Sequence, residues 1–355
     1  MRKNSSAPDV YGNAFSLYRD DRAAFERFIR YFGERFSANG LDPDALFRGK
    51  RCLDVGCGSG RGSFFMCAHG AASVVGVDYS HKNIETCEHF ARELGVANAS
   101  FQQGDAHSLP FEDEAFDFVW CNGVLHHIKD TDKGLAECAR VLRAGGGFWL
   151  YLYGAGGVEW ALVDFIRANL VHDVDYDTTF RFLQLIEAEK GNTSEYLDNW
   201  YVPYLRRYTD ADVVRRLVSL GFEKPSRLLR DCGQRVIDMA LKPVLGEQNL
   251  RYCLRKVRHT PLAQDALPLP DVRGIGSAYE DTLKVRDAIA QCERELLPKL
   301  RELAARNKGQ AALVQIAVAR RLNGVILEEI EKGAGFDFMN VLKAVQQIAP
   351  NLSIA

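Results

Sequence analysis

Between residues 20 and 36, apolar side chains recur at intervals of three and four, with Phe25, Phe28, Ile29, Phe32 and Phe36 on one side of a predicted helix. From Arg51 the period shortens to apolar runs of strand length. Arg51 to Val55, Ser73 to Asp78, a run ending at Phe101-Gln-Gln-Gly-Asp105, Phe116 to Trp120 and Gly147 to Leu152 read as five strands. Helical segments separate them. Ser80 is placed to cap a helix through Leu94 whose inner face would hold Ile84, Cys87, Phe90 and Leu94. Strands alternating with helices at this spacing predict an α/β fold with a mostly parallel, doubly wound sheet. Residues 158–208 break the alternation with helical pieces and an aromatic-rich stretch, Tyr196 to Tyr208, and read as an insertion. Thr209 then caps a helix to Leu220, Gly221 ends it, and Phe222 to Leu229 is expected to be strand six. Pro261, Pro268 and Pro270 mark a linker. Beyond it, Val285, Ile289, Cys292, Leu296, Leu300 and Leu303 repeat at helical spacing, with a break expected near Pro298, and Leu322, Ile326 and Ile330 give a second apolar face.

The candidate chemistry lies at the ends of those strands. Arg51-Cys-Leu-Asp-Val-Gly-Cys-Gly-Ser-Gly60 runs a strand into three glycines at alternate positions ahead of a helix, a turn in which a ligand can lie against bare backbone N–H groups. The dinucleotide pattern G-x-G-x-x-G does not fit, because its third glycine would fall at Arg61 or Ser63. An acid follows at the end of the second strand, Asp78, and another after the third, Asp105. Asn122 opens the turn Asn122-Gly-Val-Leu-His-His127 after the fourth. Ligands on parallel sheets bind at the carboxyl ends of strands, where Asp54, Asp78, Asp105 and Asn122 all fall.

Taken in order, the acid-x-G-x-G-x-G turn, the acid after strand two, the Gly-Asp after strand three and the N-x-V-L-H-H turn resemble a class I S-adenosylmethionine-dependent methyltransferase over about Arg51 to Leu152. The resemblance implies a Rossmann-like, seven-stranded sheet closed by an antiparallel seventh strand at Asn249 to Lys256; residues 158–208 read as a helical lid insertion above the cleft, and the C-terminal helical extension departs from the minimal fold. The expected organisation is an N-terminal helical cap at 1–48, a cofactor domain at 49–257 with its lid at 158–208, a linker at 258–275 and a helical extension at 276–355. The implied cofactor is S-adenosylmethionine, with S-adenosylhomocysteine as product.

The same resemblance distributes roles. Gly56, Cys57, Gly58 and Gly60 would face the methionine portion, with Arg61 placed to pair with its carboxylate and Asp54 either a further contact or an acid that orders the loop through backbone hydrogen bonds; Asp78 would take the ribose hydroxyls, Asp105 the adenine amino group and Asn122 the methionine end, with Tyr79 and Ala106 as further cofactor contacts. Tyr11 and Tyr18 of the cap are further candidates at the methionine end. His126 and His127 are candidate general bases, since an imidazole titrates near neutrality. Tyr151 and Tyr153 end strand five, where one is expected to face the cleft and the other the core. Tyr151 is the catalytic candidate and Tyr153 the substrate contact. In the lid, Trp200 and Tyr204 with Arg206 and Arg207 suggest an aromatic wall with a cationic rim for a carboxylate or phosphate.

Composition narrows the acceptor. The 355 residues carry a net charge of −2, which gives no field to gather nucleic acid, and there is no dense basic stripe with interleaved aromatics. The polar N-terminus lacks an apolar core of signal type, and no window approaches the roughly 20 apolar residues of a membrane span, so membrane insertion is not expected. Nine scattered cysteines without a C-x-x-C pair suggest neither a disulfide framework nor a zinc site and fit a cytoplasmic setting. No metal is expected. The expected function is methyl transfer to an oxygen or nitrogen of a small-molecule acceptor. The alternatives are a protein or RNA methyltransferase and a noncatalytic S-adenosylmethionine-binding scaffold. The C-terminal helices could dock on the catalytic domain or form a homodimer.

Overall fold

A computed structural model describes residues 7–16, 19, 22–185, 190–232, 237, 246–258, 290, 294 and 297–331. Tyr18, Val285, Ile289, Cys292 and Leu296, most of the expected linker, and the side chains of Phe28, Ile326 and Ile330 lie outside the described residues. Three helices lead in: α1 (Ala7–Ser16), α2 (Arg22–Ala38) and α3 (Pro43–Phe47). The sheet region then runs β1 (Arg51–Val55), α4 (Arg61–Ala68), β2 (Ser73–Asp78), α5 (His81–Leu94), β3 (Ala99–Gln103), β4 (Phe116–Asn122), α6 (Thr131–Val141) and β5 (Leu142–Tyr153). The insertion carries α7 (Val158–Phe165), a π turn at Ile166–Leu170, α8 (Tyr176–Leu185) and α9 (Lys190–Tyr201). Next come α10 (Asp210–Ser219), β6 (Asn249–Arg255), α11 (Leu297–Arg306) and α12 (Lys308–Glu331).

The described strands form a six-stranded sheet in the order β3-β2-β1-β4-β5-β6. All pairs are parallel except β5 with β6, where Gly147 opposes Arg255 and Tyr153 opposes Asn249. The chain therefore reverses direction around β1, with β2 on one side and β4 on the other, and a crevice opens at the carboxyl ends of β1 and β4. Both faces are covered. Cys52, Phe118, Trp120 and Trp149 pack with Phe32, Phe36, Phe47 and Phe65 from α2, α3 and α4. Leu53, Val55, Val119, Phe148 and Leu150 pack on the other face with Leu135 of α6 and Val213 and Leu217 of α10. Burial on both faces explains why these strands read as near-continuous apolar runs.

The expected sixth strand at Phe222 to Leu229 is corrected. That segment touches the sheet only through isolated antiparallel bridges, Phe222 with Lys256 and Arg227 with Tyr252. Pro225 stands between them and has no N–H to give a ladder, which interrupts regular pairing. The antiparallel closing strand falls where the sequence places it. Ser80 occupies the N-cap position of α5 in extended conformation, but its side chain makes no capping hydrogen bond. Thr209 does cap α10, accepting from the Asp212 N–H at 3.1 Å.

The insertion and the tail share one core. Leu162, Phe165, Ile166, Leu183, Leu197 and Trp200 are buried together with Leu297 and Leu300 of α11, Ile316, Val318, Ala319 and Leu322 of α12, and Val10 of α1. The helical extension thus docks in cis, and these apolar residues are spent on the insertion. Pro298 sits in the first turn of α11, where its missing N–H costs nothing.

Phe36 is stacked on Trp149 at 4.9 Å and on Trp120 at 6.0 Å and is fully buried. Phe36→Ala is expected to destabilise the protein by about 3–5 kcal/mol, read as an earlier urea midpoint by tryptophan fluorescence; an unchanged midpoint would show that the cap does not fold onto the sheet.

Candidate functional site

A cavity of about 300 Å³ lies at the carboxyl ends of the strands. Its walls come from the loops after β1, β2, β3 and β4, and Tyr11 and Phe15 of α1 and Tyr204 of the insertion also line it. Of the residues singled out from the sequence, Gly56, Asp78, Tyr79, Asp105, Ala106 and Asn122 line it, as do His127, Tyr204 and Tyr11.

Gly56 shows why the turn needs glycine. Its φ is +69°, and a Cβ there would lie 2.4 Å from a Val124 methyl. The Gly56 and Cys57 N–H groups both donate to the Val77 carbonyl, at 2.7 and 3.0 Å, which locks the turn to β2. Gly58 is used differently from the expectation, because its N–H donates to Asp78 Oδ2 at 2.9 Å. Asp78 also accepts from the Ser80 N–H at 2.9 Å and from Asn83 Nδ2 at 3.0 Å. Burial pushes the Asp78 carboxyl upward, and the Ser80, Gly58 and Asn83 hydrogen bonds oppose it. Three donors do not exhaust the lone pairs of a carboxylate, so Asp78 can still accept from a ligand hydroxyl.

At the far side, Asp105 Oδ1 accepts from the His107 N–H at 2.8 Å and lies 2.6 Å from His107 Nδ1. Partial burial acts to raise this carboxyl, but the His107 contacts outweigh it and hold it below the ordinary range. His107 itself lines the cavity. Asn122 Oδ1 accepts from Trp149 Nε1 at 3.0 Å, which leaves the amide N–H₂ donors for a ligand.

Several predicted contacts are not at the cavity wall. Asp54 is buried on the α4 side and accepts from Ser63 Oγ at 2.7 Å, so it holds the start of α4. Cys57 is turned toward Cys87, with the sulfurs 3.8 Å apart. Gly58 is covered by the Phe15 ring, Gly60 forms the N-cap of α4 with φ of +82°, and the Arg61 guanidinium lies over Phe15 at 5.4 Å. Tyr151 is half-buried off the cavity lining, its hydroxyl donating to Asn249 Oδ1 at 2.8 Å beside the Arg251 guanidinium. The expectation that Tyr151 and Tyr153 split between cleft and core fails for a simple reason. Residues two apart on a strand share a face, and the two rings lie 5.8 Å apart. Position along the strand separates them, and only Tyr153, at the very end, reaches the insertion.

The lid expectations divide in the same way. Trp200 is fully buried against Tyr196 inside the helical core. Arg206 donates to the carbonyls of Ile128 and Lys129, and Arg207 pairs with both oxygens of Asp164 at 2.7 and 2.8 Å over the Trp160 ring. The cationic rim is therefore internal stapling. His126 is buried off the cavity, accepts from the Tyr153 N–H at 3.2 Å and stacks on the Tyr153 ring at 3.7 Å. Burial, followed by the neighbouring His127, pushes it well below the ordinary imidazole range. The sequence reading missed Asp198 of α9, which approaches His127 Nε2 at 3.2 Å and accepts from Tyr153 Oη at 3.1 Å. Its only sequence signal was membership of the aromatic-rich stretch. Among the described residues no group of three or more His, Cys, Asp or Glu could hold a metal, and no helix is long and apolar enough to cross a membrane.

Residues 53–150 match the family described as a methyltransferase domain. The chain is 36% identical over 126 residues to the uncharacterized methyltransferase YcgJ of Bacillus subtilis, covering 34% of this chain and 49% of that one. It is 28% identical over 221 residues to methyltransferase GfsG of Streptomyces halstedii, covering 61% and 71%. It is 31% identical over 129 residues to the ubiquinone biosynthesis O-methyltransferase of Coxiella burnetii, covering 34% and 54%. The chain thus spans about half the length of two of these relatives. A solved structure of YcgJ aligns over 62% of this chain and 94% of that one at 22% identity and a TM-score of 0.38.

The Asp54 carboxyl, ordinarily near 3.8, is pushed up by burial to about 7. A carboxyl raised on folding favours the folded state below its unfolded pKa and loses that contribution as pH rises toward its folded one. Asp54→Asn keeps an acceptor for Ser63 and cannot ionise. The thermal midpoint of the variant minus that of wild type is expected to climb between pH 4 and pH 7.5; a flat difference would mean that Asp54 is not buried as described.

Proposed function

The chain carries a methyltransferase domain of the class I S-adenosylmethionine-dependent family, and we propose that it methylates an oxygen or nitrogen of a small-molecule acceptor. The observation that carries this reading is the cavity itself. It joins the Gly56 backbone, the Asp78 carboxylate, the Asp105–Ala106 edge and the Asn122 amide in one cleft at the strand ends. S-adenosylmethionine supplies an electrophilic methyl on a sulfonium and leaves as the neutral thioether S-adenosylhomocysteine. The residues present fit that molecule. Asp78 would accept the ribose hydroxyls, Asp105 and Ala106 would border the adenine with Tyr79 over it, and the Asn122 amide donors would meet the methionine end. The glycine turn leaves room that a side chain would fill, since a Cβ on Gly56 meets Val124.

A cleft of about 300 Å³ suits a small acceptor better than a polymer. Tyr11 and Phe15 of α1 and Tyr204 of the insertion wall the cavity, and the Tyr11 hydroxyl is buried without a hydrogen-bond partner. These side chains would hold the reacting groups together, which is the protein's main contribution to a displacement of this kind. The named O-methyltransferase relative supports an oxygen acceptor. The unpaired cysteines among the described residues fit a cytoplasmic setting.

Isothermal calorimetry with S-adenosylmethionine and S-adenosylhomocysteine tests the assignment. Wild type should bind both, and Asp78→Asn, checked for folding by circular dichroism, should bind at least about tenfold more weakly, the value of one charge-assisted hydrogen bond. No binding by folded wild type would overturn the proposal. Binding with no turnover on any acceptor would favour the scaffold instead.

A further inference from the structure

Asp105-Ala-His-Ser108 closes a tight turn after β3, with the Ser108 N–H donating to the Asp105 carbonyl at 2.9 Å. The turn folds the His107 side chain back onto the Asp105 carboxylate, whose Oδ1 lies 2.8 Å from the His107 backbone nitrogen and 2.6 Å from its Nδ1. The far nitrogen of the ring fixes the tautomer. Nε2 accepts from the Asp130 backbone N–H at 3.1 Å, and a backbone N–H can only donate. The lone pair is therefore on Nε2, and the proton of the neutral ring is on Nδ1, facing Asp105. Asp130 is the N-cap of α6, its carboxylate accepting from the Lys133 N–H at 3.0 Å. The same helix grips the loop further along, where Glu137 accepts from the Leu109 N–H and Arg140 donates to the carbonyls of Leu109 and Phe111. His107 is thus a strut between the start of α6 and one oxygen of Asp105. Both residues line the cavity, and among the described residues Asp105 Oδ2 has no hydrogen-bond partner.

We propose that His107 is a positioning residue for base recognition: by holding Asp105 Oδ1 it presents Oδ2 as a fixed anionic acceptor, and the cavity thereby selects a 6-aminopurine over a 6-oxopurine. This rests on the methyltransferase reading above, in which Asp105 and Ala106 border the adenine. The selection follows from donors and acceptors. The exocyclic amine of adenine offers N–H donors to a carboxylate, whereas a 6-oxo base turns a carbonyl oxygen toward it and is repelled. Such a reading works only if the carboxylate cannot swing aside. The Asp105 side chain is 49% exposed, so packing does not hold it, and the two donors on Oδ1 must. Partial burial acts to raise this carboxyl, but the His107 contacts lower it further, so the oxygen left over is an anion. Asp78 is held by its own donors, Gly58, Ser80 and Asn83, which confines the effect of His107 to the base.

Two substitutions divide the contacts of the ring. His107→Asn places an amide N–H where Nδ1 stands and keeps the donor to Asp105, whereas His107→Gln reaches the Asp130 N–H with its carbonyl and gives up the donor to Asp105. The full-length proteins, checked for folding by circular dichroism, are titrated by calorimetry with S-adenosylhomocysteine and with its 6-oxo counterpart, S-inosylhomocysteine. Wild type should prefer the amino form. His107→Gln should lose about tenfold of that preference, the value of one charge-assisted hydrogen bond, through weaker binding of S-adenosylhomocysteine, and His107→Asn should keep it. In ¹⁵N NMR of histidine-labelled protein, the His107 signal, identified by its loss in either variant, should show the neutral ring protonated on Nδ1. A neutral ring protonated on Nε2, no preference in wild type, or any pattern other than loss in His107→Gln with retention in His107→Asn overturns the assignment. Any of these with S-adenosylhomocysteine still bound by wild type sinks the role of His107 alone. Absent binding by folded wild type sinks the methyltransferase reading and this one with it.

Discussion

The Asp78 carboxylate is the tie on which the site depends. It takes the Gly58 N–H from the turn after β1, and the Ser80 N–H and Asn83 amide from the start of α5. Two crossover loops are thereby fixed to one point at the end of β2. The left-handed backbone at Gly56 and its close approach to Val124 follow from that fixation, because the turn must bend sharply to bring Gly58 to the acid. A neutral side chain at 78 would leave buried N–H groups without a charged acceptor, and each such loss costs more than the hydrogen bond is worth when made. The acid that a ligand would meet is therefore also the acid that builds the floor beneath the ligand.

This double role explains why the cofactor half could be read from the sequence. Parallel strands buried on both faces must be apolar runs, and polar groups at their ends must have a reason to be there. Asp78, Asp105 and Asn122 stood out against that background, and all three line the cavity. Asp54 stood out equally, yet it faces Ser63 on the α4 side of the sheet, because a residue's face on a strand is set by parity and Asp54 is one residue short of the strand's end. The missing sixth strand was legible in hindsight at a single residue, Pro225, whose absent N–H outweighs the apolar residues around it.

The acceptor half was legible only as composition. Trp200, Arg206 and Arg207 looked like a binding rim because the groups that engage the two arginines are not their neighbours in the chain. Their partners are distant or are backbone carbonyls, and carbonyls carry no sequence signal. Arg207 finds Asp164, 43 residues away, and Arg206 finds carbonyls 77 and 78 residues away. Asp198 is the converse case. It carries no motif of its own in the sequence, and only the packing of α9 brings it to His127 and Tyr153.

That packing is itself a long-range product. The helices of the insertion are short, and helices of such length owe their stability to packing more than to their own hydrogen bonds. Their buried faces are completed by Val10 from the N-terminal side and by Leu297, Leu300, Ile316 and Leu322 from the C-terminal side. Arg167 secures the end of α9 by donating to the carbonyls of Asn199 and Val202. The tail carries no recognisable chemical motif, yet it shares a core with the helix that bears Asp198. A change in how α11 and α12 sit would displace a carboxylate beside His127 without touching the sheet. The two halves of the site are thus held by different contacts, one set local to the strand ends and the other assembled from both ends of the chain, with α1 touching both.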